Sequence, residues 1–196
     1  MANKPKVIIA LAVQDTVKSK LCLSLITALR NVSFDYDVAV SMGCDLIGSR
    51  TRLVRQAQAL KGTHMLFIDH DMFLNPTLLA DGTKESPITT LLKHDKDVIG
   101  APYNFRSLPK KSTATTLGEA SETELYKCRS MGTGFLLIKM DVFDKIETPY
   151  FQFGRNELAE LVYGEDAWFC SQVIKAGMDV WADPTVSITH IGDYEY

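Results

Sequence analysis

Residues 63–71 read Thr-His-Met-Leu-Phe-Ile-Asp-His-Asp, an apolar run that stops abruptly on two acids. Thr63–Ile68, bounded by polar residues, predicts a strand buried on both faces, as in the middle of a parallel sheet. Upstream, Lys6–Val13 (KVIIALAV) has the same character and predicts a first strand. Between the two, Val17, Leu21, Leu25 and Leu29 recur at helical spacing within Thr16–Arg30. Tyr36–Ser41 predicts a second short strand, and Ser49–Leu60 a helix with Leu53, Val54, Ala57 and Leu60 on one face. Strand, helix, strand, helix, strand in that order predicts an α/β fold: a Rossmann-like, mostly parallel central sheet flanked by helices. Ligands of such sheets bind at the carboxyl ends of the strands, and Asp69, His70 and Asp71 fall at one of these ends.

Further along, Asn75-Pro76 is expected to start a short helical turn, Ile88–Leu92 a helix, and Asp97–Ala101 a fourth strand. Residues 102–124 are rich in Ser, Thr, Lys and Pro without periodicity. They predict a long loop or a small hairpin excursion, a kind of segment that is usually functional or mobile. Gly134–Met140 predicts a strand, with Asp141 capping a short helix to Ile146. Glu165–Ala176 predicts a helix closed by Gly177. Met178–Ala182 and Val186–Thr189 complete the strands. No repeat or linker divides the chain, so its 196 residues read as a single domain.

A hydrophobic content of 46% is enough for a sizeable core, and a net charge of −3 excludes a surface coated with positive charge for bulk nucleic-acid binding. A local basic patch stays open. Val7–Val13 is far shorter than the roughly 20 apolar residues that span a bilayer, so no membrane anchor is expected. Cys22, Cys44, Cys128 and Cys170 form no Cys-x-x-Cys pair and read as reduced thiols of a cytoplasmic protein.

Several residues suggest chemistry. Asp69 and Asp71 flank one residue at a strand end, where both carboxylates can face a common point. Hard divalent cations want such oxygen ligands, and a cation relieves the repulsion between two acids. A solvated turn with two acids is the plainer alternative. Glu165 and Asp166 open an apolar helix, where the macrodipole favours acids and where a carboxylate could also take a proton from a hydroxyl. His190, at the end of the last predicted strand, is either a hydrogen-bonded surface histidine or a neutral imidazole ligand for a metal such as Mn²⁺. Gly132 and Gly134 in Met131-Gly132-Thr133-Gly134 allow either a tight turn or close approach of a ligand. Arg50, Arg52 and Arg55 form a basic cluster from which Arg50 could reach a diphosphate, unless the cluster is a solvated helix face. There is no Gly-x-x-x-x-Gly-Lys phosphate loop, no Gly-x-Gly-x-x-Gly after the first strand and no Gly-x-Ser-x-Gly elbow.

Taken in order, FIDHDM, DVIGAPY, GTGFLLIKMDVF, GEDAWFC and a closing THIG resemble the GT-A glycosyltransferases, nearest to the small bacterial and phage members related to family 2. The resemblance runs from about Lys6 to Gly192. It implies a GT-A sheet and a nucleotide-sugar donor, UDP-sugar first. It implies Mn²⁺ or Mg²⁺ held by Asp69 and Asp71 in a DxD motif and completed by His190. It implies Asp166 as general base beside Glu165, and Ala10, Ala12 and Gln14 lining the nucleoside pocket. Arg50 matches an arginine that often precedes the second helix, although Thr51-Arg52 departs from what relatives often carry. His70 falls within the donor-binding motif without being a primary ligand.

The acceptor expected on this basis is either a glycan or a hydroxymethylated base of phage DNA, the second idea drawing on Arg106, Lys110 and Lys111. A phage-encoded chain would act in the host cytoplasm. The rival readings are a catalytically silent nucleotide-sugar-binding module and a nucleotidyltransferase. The latter normally carries a glycine-rich basic loop where this chain has Gln14-Asp15-Thr16. The sequence leaves oligomeric state open.

Overall fold

The computed structural model describes residues 4–158 and 160–192. β1 (Lys6–Val13) is buried on both faces over most of its length. α1 (Ser19–Ala28) turns Leu21, Leu25 and Ala28 inward. β2 (Asp35–Met42) leads to α2 (Leu46–Ala59), which Asp45 opens by accepting the Gly48 N–H at 3.0 Å. β3 (His64–Asp69) lies on the other side of β1, and both neighbours run parallel to it in unbroken register, with Ala10 opposite Ala39 and Phe67.

Beyond β3 come β4 (Met72–Leu74), β5 (Thr77–Leu78), β6 (Lys84–Glu85), α3 (Pro87–Lys93) and β7 (Val98–Gly100). The helical turn expected at Asn75-Pro76 is instead the entry to a β5–β6 hairpin. Gly82, at φ +82°, makes its turn, and Asp81 accepts the Thr83 N–H. After β7 follow β8 (Thr115–Thr116), β9 (Tyr126–Ser130), β10 (Phe135–Lys139) and the one-turn α4 (Val142–Lys145). Asp141 does not cap α4 with its side chain; its carboxylate pairs with Lys145 at 2.8 Å. The chain ends in β11 (Gly154–Arg155), β12 (Leu161–Tyr163), α5 (Glu165–Lys175), β13 (Val180–Ala182) and β14 (Ile188–His190).

Among the described residues the central sheet has eight strands in the order β2-β1-β3-β10-β7-β13-β9-β8. Only β10 and β9 oppose the common direction, so the sheet is mostly parallel and Rossmann-like in its first half. The strand period of two divides the core into two layers. Ile8, Ala10 and Phe67 pack with Leu53 of α2 and Phe169 of α5, whereas Val7, Ile9 and Leu66 pack with Leu21 and Leu25 of α1. No described helix is long and apolar enough to cross a membrane, and all four cysteines are free thiols.

The first layer is keyed by Phe151, which is fully buried, edge-on to Phe67 at 5.6 Å and stacked on Phe169 at 5.2 Å. Removing that ring leaves a cavity that rigid strands cannot fill. Phe151→Ala is expected to cost about 3–5 kcal/mol in urea denaturation, with the slope unchanged. A loss below about 1 kcal/mol would show that the cluster is not packed this way.

Candidate functional site

The carboxyl ends of β1, β2 and β3 open onto one cleft of about 280 Å³. Ala12, Val13 and Gln14 line it from β1, Gly43 and Cys44 from the end of β2, and Asp69, His70 and Asp71 from the end of β3. Arg50, Arg106 and His190 close the remaining sides. Gly43 sits at φ +128°, a conformation that glycine adopts without strain. Ala10 does not reach the cleft. It shares the face of Ala12 but lies deeper, fully buried in the core, and its expected place beside the nucleoside is corrected accordingly.

Asp71 and His190 are far apart in sequence and adjacent in space. β14 pairs antiparallel with β4, putting His190 opposite Met72, and the Ile191 N–H donates to the Asp71 carbonyl at 2.8 Å. Asp71 is only 2% exposed. Its Oδ2 lies 3.3 Å from His190 Nε2 and 3.0 Å from Arg106 Nη1, yet no donor is aligned to hydrogen-bond it. Burial works to raise the Asp71 pKa. The adjoining His190 side chain, then His70 and Arg106, outweigh burial and hold the carboxyl below the usual carboxylate range.

The His190 ring is oriented by its other nitrogen. Nδ1 lies 3.1 Å from the Asn104 carbonyl, which can only accept, so Nδ1 carries the proton. Nε2 then faces Asp71 Oδ2, the oxygen that the Arg106 guanidinium also approaches. A metal-binding histidine is set up in this way, with the far nitrogen tied to a carbonyl.

Arg50 was expected to reach a diphosphate, but its guanidinium is engaged. It is buried in the fifth position of α2, and Nη1 pairs with Glu165 Oε1 while Nη2 lies 3.5 Å from Asp69 Oδ1. Its Nε is buried without a hydrogen-bond partner, and its Cζ lies 6.0 Å from the centre of the Phe67 ring. The Glu165–Asp166 pair is thereby divided. Glu165 is buried against Arg50, whereas Asp166 is half-buried and accepts the Ala167 N–H at 2.7 Å. Burial, then the charge of Glu165, push the Asp166 pKa up.

Asp69, Asp71 and His190 do not converge as a three-ligand set. Among the described residues no three His, Cys, Asp or Glu side chains are grouped to hold a metal ion. Asp71 and His190 form a pair, and Asp69 faces Arg50. Mg²⁺ and its relatives commonly use one or two protein ligands and complete their shell with water and substrate phosphates. A buried carboxylate oxygen with no aligned hydrogen-bond donor, beside an oriented imidazole, fits a cation on those terms.

Tyr103 was missed in the sequence. It is buried, its hydroxyl accepts the Gly134 N–H at 2.9 Å, and its ring meets His190 edge-on at 5.6 Å. Burial, then the charge of Asp69, push its phenol pKa up. A Cβ on Gly134 would come within 2.3 Å of Met72 Cε and 2.5 Å of the Tyr103 hydroxyl. The glycine therefore admits a tyrosine, where a tight turn or a ligand was expected. Its place after Pro102, in a stretch without periodicity, offered no signal of this.

No protein-family model and no curated protein matches the chain. Among solved structures, A197 from STIV superposes with a TM-score of 0.66 at 17% identity, covering 96% of this chain and 86% of that one. That likeness shows a shared fold. An apo UDP-glucose pyrophosphorylase reaches a TM-score of 0.49 at 13% identity, over 94% of this chain and 76% of that one.

The Arg50–Glu165 contact is buried on both sides, so breaking one partner strands the other. Arg50→Met is expected to destabilise by about 3–5 kcal/mol in chemical denaturation, and Arg50→Met with Glu165→Met to recover most of that loss. Equal losses in the single and double variants would contradict the pairing.

Proposed function

We propose that this chain is a metal-dependent glycosyltransferase of the GT-A kind, moving a sugar from a nucleotide sugar, UDP-sugar first, to an acceptor hydroxyl. The observation that carries this reading is the Asp71–His190 pair, with its imidazole oriented by Asn104, in a cleft at the carboxyl ends of parallel strands. Asp71 and His190 would hold Mn²⁺ or Mg²⁺, which when bound offsets the charge developing on the leaving diphosphate. Ala12, Gln14 and Gly43 form the wall for the nucleoside, and Asp69, steadied by Arg50, borders the phosphates.

Asp166 is the acceptor's base. Glu165 is engaged by Arg50, which leaves Asp166 as the carboxylate free to take a proton. Its raised pKa brings it nearer the working pH, where a general base is most effective. As the acceptor oxygen attacks the sugar carbon, its proton passes to an Asp166 oxygen and the bond to the diphosphate breaks. A direct displacement of this kind inverts the anomeric centre. The acceptor is a glycan or a hydroxymethylated base in phage DNA. Steep salt dependence of binding to DNA would favour the second, and indifference to salt and DNA the first.

Purified protein with Mn²⁺ is expected to release the nucleoside diphosphate from one member of a panel of UDP-, GDP- and dTDP-sugars, UDP first, and Asp71→Ala to abolish that release with the fold retained. Release of pyrophosphate from a nucleoside triphosphate and a sugar phosphate would instead make it a nucleotidyltransferase. Asp166→Asn should lower kcat about 100-fold or more. The acid limb of the wild-type kcat profile should lie above the ordinary carboxylate value. The sign for stability is opposite. A raised folded-state pKa means that the Asp166 contribution is present below its unfolded pKa and is lost as pH rises through the folded one. An acid limb at or below the ordinary value would remove Asp166 as the base.

A further inference from the structure

The segment after β7 returns on itself as a small hairpin. Asn104 bridges Ser112, the Phe105 N–H donates to the Lys111 carbonyl at 2.9 Å, and the Thr113 N–H to the Tyr103 carbonyl at 2.8 Å. The hairpin touches the cleft at two points. The Asn104 carbonyl holds His190 Nδ1, and two residues on, Arg106 reaches Asp71 Oδ2. Arg106 is half exposed on its other side, so the contact is made by a side chain with room to move.

Asp71 Oδ2 is therefore faced by both the His190 Nε2 and a guanidinium. It is also the oxygen to which the Asp71–His190 pair would bind a dication. A guanidinium and a divalent cation cannot both sit against one buried oxygen. Their like charges would lie within a few ångströms of each other. Arrival of the cation must displace Arg106, and Arg106 must weaken the cation. The anchor at Asn104 is indifferent to this exchange, because Nδ1 keeps its proton whether Nε2 faces a proton or a metal. The hairpin's base thus stays attached while the guanidinium leaves Asp71. It remains on the wall of the cleft, where a diphosphate offers oxygens that an arginine can grip with two parallel bonds.

We propose that Arg106 is a positioning residue that exchanges Asp71 for the donor diphosphate when the divalent cation binds. This rests on the glycosyltransferase reading and adds to it an order of events: cation first, then a cleft ready for the diphosphate. The exchange makes an unusual pair of opposite effects. Removing the guanidinium helps the cation and harms the nucleotide. A merely structural role would move both in the same direction.

The test uses Mn²⁺ alone, titrated into the full chain and followed by the electron paramagnetic resonance of free Mn²⁺, and then UDP titrated calorimetrically at saturating Mn²⁺. Arg106→Gln is expected to bind Mn²⁺ roughly tenfold more tightly than wild type and UDP roughly tenfold more weakly, each the worth of one charge-assisted contact. Arg106→Lys, which keeps the charge, should stay within about threefold of wild type for Mn²⁺, and Asp71→Asn should lose Mn²⁺ binding. Equal Mn²⁺ affinities in wild type and Arg106→Gln, with Asp71→Asn still defective, would overturn the exchange and leave the cation site standing. Unchanged UDP affinity in Arg106→Gln would overturn it as well. No Mn²⁺ binding by any of the proteins, with or without UDP, would sink the cation site itself and the exchange with it.

Discussion

A carboxylate 2% exposed to solvent has to find positive charge inside the protein, and in this chain much of the site follows from how Asp71 does so. The short β4–β14 ladder brings His190 to it from the far end of the sequence, and the Tyr103–Thr113 hairpin brings Arg106. Neither donates a well-aligned hydrogen bond to Oδ2, so the carboxylate is surrounded by charge without being saturated. That combination suits an oxygen that takes part in binding more than one whose role ends with the fold.

The second constraint is the buried Arg50. It ties the end of β3 to the start of α5 through Asp69 and Glu165, and so places two adjacent acids in different environments. Glu165 is held, and Asp166 is left half-buried with its pKa raised by burial and by the neighbour it cannot escape. Asp69 at the cleft and Glu165 beside Asp166 are thereby joined through one guanidinium.

The alternation of strands and helices up to β3 was legible because buried parallel strands are continuous apolar runs and helices carry their own period. Strand direction was not. Phe135–Lys139 is as uniformly apolar as β1, yet β10 runs antiparallel between β3 and β7, and nothing in the composition of a strand buried on both faces reveals its sense. The β5–β6 hairpin turns on Asp81-Gly82, a turn pair that the reading of Asn75-Pro76 as a helical turn passed over. For the site, residue types at strand ends were readable, and Ala12, Gln14, Arg50, Asp69, His70, Asp71 and His190 all reach one cleft. Ala10 failed on depth, because a period of two gives the face but not how far the sheet covers it. The Arg50–Glu165 contact and the turning of Asp69 toward Arg50 lie between segments that only the finished sheet brings together, and so does the place of Arg106, a loop charge with no periodicity around it.

Anomalous diffraction from crystals grown with Mn²⁺ and UDP tests most directly whether Asp71 and His190 share a divalent cation in the cleft. A manganese peak is expected within bonding distance of both Asp71 Oδ2 and His190 Nε2, with the diphosphate completing its shell. UDP seated in the cleft with no manganese at that pair would contradict it.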